Sequence, residues 1–136
     1  MILYLKIKDH FTIFFIATSF WTYYFLGGLW SDYYQTWPFI KTLIIVDIIP
    51  TFFLFYIGKI FLKPFTRNLE GNQIIIASLV VAFHTSVPLL IYDFIYLVLF
   101  LNKGARYLLD YWYLTFFSII PWIIFPIMGY AIKKKK

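Results

Sequence analysis

The chain has 136 residues, of which 62% are apolar and 25% aromatic, against only 13% charged. A soluble domain of this length needs far more polar surface, so the composition places the chain in the membrane class. The absence of cysteine excludes disulfides, thiolate metal sites and redox chemistry built on a Cys-x-x-Cys pair. The basic residues behind the formal charge of +6 form no folded face, so nucleic acid is not an expected partner.

A helix needs about 20 apolar residues to cross the hydrocarbon of a bilayer. Four windows qualify: residues 11–30, 39–62, 73–93 with an apolar extension to 101, and 111–132. The segments lack the apolar-out, polar-in alternation of a barrel wall, and four strands cannot close a barrel. The connections are short, so successive helices run antiparallel. The expected fold is all-α: a four-transmembrane-helix antiparallel bundle forming one membrane domain over residues 1–136.

The start, MILYLKIKDH, is basic and leads into an apolar stretch with no small-x-small cleavage site after it, which predicts an uncleaved anchor. The first span ends with Gly27 and Gly28, which allow close helix approach. Trp30, Tyr33, Tyr34 and Trp37 follow as an aromatic belt. Asp32 lies at that border, either as a solvated acid beside Lys41 or as a group facing a ligand. With both termini inside, nine Lys and Arg fall on the inner side and three on the outer. The positive-inside rule therefore predicts cytoplasmic N and C termini. It also predicts a basic inner surface suited to anionic headgroups.

The second span carries Asp47 inside an apolar run. A central acid costs roughly 2.5–3.5 kcal/mol on the insertion scale, and apolar residues return about 0.3–0.6 kcal/mol each. Residues 42–58 hold eleven Leu, Ile, Val or Phe, so the segment inserts with its acid. Such an acid should face other helices or a wet cavity, as a proton carrier, as the counter-ion of an amine, or as a bond that fixes the fold. Thr51 lies one turn deeper on the same face, and Pro50 frees a backbone carbonyl and predicts a kink.

The third span places His84 near the middle of the membrane, followed by Thr85, Ser86 and Pro88, and puts Asp93 at the outer interface in a solvated role. One His, no Cys and scattered carboxylates give too few ligands for a metal. The fourth span carries Pro121, Trp122 and Pro126. An indole at mid-depth is unusual, and it offers either plain packing or an aromatic wall to a flat ligand or a cation.

Taken together, these strings resemble the EXPERA superfamily, which includes the sigma-2 receptor and the emopamil-binding sterol isomerase. Pro121-Trp122-Ile123-Ile124-Phe125-Pro126 is similar to the family's Pro-aromatic-aliphatic-aliphatic-x-Pro stretch. The run from Lys41 to Asp47 resembles a Lys–x5–Glu, Thr51 occupies the place of a Gln, and His84-Thr85 resembles a His-Thr pair. Asp32 lies where a first-span acid that contacts ligand amines is expected. Lys133 and Lys134 resemble a dilysine retrieval signal, which implies the endoplasmic reticulum in a eukaryote; a bacterial host implies the plasma or inner membrane. The first span departs from the isomerase branch: Tyr24 and Gly28 stand roughly where its His-x3-Glu would fall.

The resemblance implies an intramembrane pocket for a sterol-like or cationic amphiphilic lipid, with Asp32, Asp47, Thr51, His84 and Trp122 as ligand-binding residues. No cofactor is expected. Membrane lipids are the other partners, and a homodimer is compatible with the pattern. Two alternatives stand beside this reading. One is a sterol double-bond isomerase with Asp47 and His84 as catalytic candidates; the other is a small scaffold or accessory subunit without a ligand.

Overall fold

In the computed structural model, which describes residues 2–26 and 32–136, the chain is helical almost throughout, with no strand among the described residues. Three helices are long and apolar enough to cross a membrane: Phe39–Phe65 (α2), Asn72–Phe100 (α3) and Trp112–Lys135 (α4). They are preceded by Ile7–Leu26 (α1), a helix of 20 residues. Its first turn carries Lys8, Asp9 and His10, and Thr12, Thr18, Ser19 and Thr22 follow, so it is less apolar than the other three. The helix that overlaps the expected span 11–30 begins four residues before it, at Ile7, while Gly27, Gly28 and Trp30 lie outside the described residues.

Asp9 sets the start of α1 by accepting a hydrogen bond from the Lys6 backbone N–H at 3.3 Å, half of a capping box. Ahead of it the chain reverses in a tight turn. Ile2 and Leu5 exchange backbone hydrogen bonds of 2.9 and 3.0 Å across Leu3 and Tyr4, whose φ values are 47° and 68°. Two successive left-handed residues are what a type I′ turn requires, and without glycine they are strained. Burial of Leu5 among core residues of the bundle, including Leu62 and Ile74, holds the turn in place.

Inside α2 the backbone widens into a π-helical stretch, Leu43–Ile48, and resumes α-helix at Ile49. Pro50 lacks the N–H that would reach the carbonyl of Val46, and the wider turn absorbs that missing bond. A second π-helical stretch, Ile95–Phe100, ends α3.

The centre of the molecule is the antiparallel pair α3–α4. Ser86 faces Ser118 and Trp122, Ser78 faces Gly129, and Asn72 faces Lys133. Helix α1 lies parallel to α3, with residues 10, 18 and 21 bonded to residues 84, 92 and 93. Helix α2 packs against α4, with Gly58 opposite Phe125 and Met128. The register gives α1 a marked offset. Its start stands level with residue 81 or so, roughly 14 Å along α3 from Asn72 at 1.5 Å per residue.

Gly129 allows α3 and α4 to approach. A Cβ there would collide with the Ser78 hydroxyl and stand 2.8 Å from Ser78 Cβ. Gly129→Leu should therefore force the central pair apart and cost about 1–3 kcal/mol of stability. Chemical denaturation in detergent, followed by circular dichroism, measures this. Gly129→Ala should be milder and should recover when combined with Ser78→Gly.

Candidate functional site

Where α1 begins, the offset leaves a groove of about 460 Å³ between the N-terminal turn, α3 and α4. Leu3, Ile76, Leu79, Val80 and Phe83 give it apolar walls. The groove holds three polar rings, those of His10, His84 and Trp122. Its volume falls in the range of ligand pockets.

The two imidazoles are bonded to each other, His10 Nδ1 to His84 Nε2 at 2.9 Å, with the rings nearly perpendicular. His10 Nε2 also lies 2.9 Å from the carbonyl oxygen of Ile2. A carbonyl only accepts, so His10 Nε2 donates. In the neutral pair His10 Nδ1 must then accept from His84 Nε2–H. That chain of bonds fixes both tautomers and leaves His84 Nδ1 as a bare acceptor, with no partner among the described residues. His10 thereby ties the strained turn, whose Leu3 forms part of the groove, to the imidazole on α3.

Trp122 is held just as specifically. Its indole N–H donates to Ser86 Oγ at 2.9 Å, and Ser86 Oγ donates in turn to the Ser118 carbonyl at 2.6 Å. Ser86 is fully buried and Trp122 is 40% exposed, so the indole is anchored at its nitrogen and open on its ring. His84 and Trp122 each stand four residues before a proline, Pro88 and Pro126, so both carbonyls lack the usual helical donor.

The remaining residues singled out from the sequence lie elsewhere. Asp47 is 0% exposed, and its two carboxyl oxygens and Thr51 Oγ1 have no hydrogen-bond partner among the described residues. They share α2 but do not line the groove of His84 and Trp122. Counting along α2 from Gly58, Asp47 stands roughly 10 Å higher in the bundle than His84. Asp32 opens a short 3-10 turn, Asp32–Thr36, and its side chain lies outside the described residues, as does that of Tyr24. Asp93, expected to be solvated, is instead 5% exposed and accepts the Trp21 indole N–H at 2.9 Å. The tryptophan of α1 supplies the donor that water was expected to give.

Sequence reasoning missed His10. Nothing in the string Lys8-Asp9-His10 marks it, because its role depends on a helix offset that only packing sets. Among the described residues, no group of three or more His, Cys, Asp or Glu could hold a metal ion. Against known proteins the chain matches no family model, no curated sequence and no solved structure.

Ser86→Ala would remove the acceptor for the Trp122 N–H and the bond to the Ser118 carbonyl. A loss of about 0.6–1.7 kcal/mol is expected from interhelical hydrogen bonds in membrane proteins. Denaturation in detergent measures the loss, and a shift in tryptophan emission should accompany it.

Proposed function

We propose that the protein is a multi-pass membrane protein that binds a largely apolar, sterol-like lipid through a hydroxyl group. The carrying observation is the bare Nδ1 of His84 in a groove whose walls, apart from the rings of His10 and Trp122, are apolar. A ligand hydroxyl would donate to that nitrogen, and its flat body would lie against Phe83 and the open ring of Trp122. Desolvation of the apolar walls supplies affinity, and the imidazole sets orientation. This keeps the kind of ligand that the EXPERA resemblance implies, but gives the leading contact to His84 rather than to Asp47. A cationic amphiphile fits the groove less well, because no carboxylate lines it.

In this reading α1 is the fourth crossing. Thr12, Ser19 and Thr22 bond their own helix carbonyls four residues back, at 2.8–2.9 Å, which satisfies their hydroxyls without water. A hydrocarbon layer of about 30 Å corresponds to about 20 helical residues. It fits between the level of residues 80 and 99 of α3, matching the length of α1. Lys6, Lys8 and Lys59 then sit at one edge. Trp37, with Lys41 4.0 Å over its ring, and Trp112 sit at the other. The more basic edge faces the cytoplasm by the positive-inside rule, with both termini on that side. His84 is then close to the cytoplasmic edge of the hydrocarbon rather than at its middle.

The isomerase reading needs an acid and a base on one substrate. The groove supports binding over that chemistry, because Asp47 does not line it. The test is photo-crosslinking of the full chain, in phosphatidylcholine bicelles, with a diazirine sterol. Labelling should fall on peptides containing Phe83-His84 and Trp122, and His84→Leu should abolish it. Label confined to α2, or unchanged in His84→Leu, would refute the groove. A sterol recovered with a displaced double bond would replace binding with catalysis.

A further inference from the structure

A second cleft, of about 800 Å³, opens between the end of α2 and the end of α4. Five cations line it: Lys59, Lys63, Arg67, Lys135 and Lys136. Lys136 is already committed. Its ammonium donates to the carbonyls of Thr66, Arg67 and Leu69 at 2.9, 2.8 and 2.7 Å, a clamp on the turn that follows α2. That clamp ties the end of α4 to the α2–α3 turn and shapes the cleft.

The side chains of Lys59, Lys63, Arg67 and Lys135 are exposed, and none has an ion pair among the described residues. No acidic residue lines the cleft. Four cations brought together with no acidic side chain among them repel one another, and an anion seated between them would relieve that repulsion. The floor between them is apolar, with Ile60, Pro64 and Ile132. The cleft thus presents charge on one wall and hydrocarbon beneath it.

We infer that this cleft is a specific site for the phosphate headgroup of an acidic membrane phospholipid. Arg67 and Lys63 would take the phosphate, Lys59 and Lys135 would flank it, and the first acyl methylenes would lie against Ile60 and Ile132. Arg suits phosphate because its planar fork donates two parallel hydrogen bonds. The depth agrees as well. Lys59 follows Gly58, which stands level with residue 80 or so of α3, so the cleft runs outward from the hydrocarbon edge through the headgroup layer. A basic pocket between helix ends at that level is a recognised seat for anionic headgroups. The site is separate from the groove of His84, so either can fail without the other.

The experiment is native mass spectrometry of the full chain in detergent, titrated separately with dioleoyl phosphatidic acid, dioleoyl phosphatidylcholine and inorganic phosphate. Phosphatidic acid should be retained at concentrations at least about tenfold below phosphatidylcholine, and Lys63→Gln with Arg67→Gln should remove that preference. Lys103→Gln, at the other end of the bundle, should leave it unchanged. Should the first pair fail to fold, Lys59→Gln with Lys135→Gln weakens the same site from exposed positions. Equal retention of phosphatidylcholine, or an undiminished preference in either cleft variant, would overturn the site. Inorganic phosphate bound as tightly as the lipid would make it a small-anion site and end the lipid assignment.

Discussion

The hydroxyl of Ser86 is the contact on which the rest of this molecule depends. It is fully buried where α3 meets α4, donating to Ser118 and accepting from Trp122. In an apolar surrounding no water replaces a lost partner, so one hydroxyl that serves two helices fixes both their distance and their register. About two turns away, Gly129 lets Ser78 come close, so small residues and one polar link share the same seam. The prolines of α4 are tolerated there because the helix is held from the side.

Beside that seam, α1 is offset along α3. The helix does not begin beside the start of α3 but well along it, and it is pinned by bonds from His10, Thr18 and Trp21. The space that a longer first helix would fill is left as a groove. It is partly covered by a turn whose two left-handed residues, Leu3 and Tyr4, carry backbone strain. Such strain persists because Leu5 is buried below it and His10 holds the Ile2 carbonyl above it. The bond that orders the turn is thus the same one that dictates which nitrogen of His84 is bare.

Much of the architecture was legible in the sequence because it depends on composition: long apolar runs, few charges and short connections specify helices whatever their contacts. The ends were less legible. The apolar window begins only at residue 11, yet Asp9 accepts the Lys6 N–H and the helix starts at Ile7. Pro50 signalled a disturbance in α2, but not that a π-helical stretch would absorb it. Of the candidate residues, His84 and Trp122 were found by their rarity in apolar segments, and they do share one groove. Asp47 was found by the same reasoning and stands apart, because rarity says which residue is unusual and nothing of which helix it faces. Asp93 shows the same gap: its burial against Trp21 depends on the parallel register of α1 and α3.

Nitrogen-15 NMR of histidine-labelled protein in bicelles reads most directly whether His84 holds an unprotonated Nδ1 ready for the proposed ligand hydroxyl. His84 should be the Nε2–H tautomer, with its Nδ1 resonance moving upon addition of cholesterol while the resonance of His10 Nε2, bonded to the Ile2 carbonyl, stays in place. A protonated Nδ1 on His84, or a spectrum indifferent to the sterol, would contradict the proposed contact.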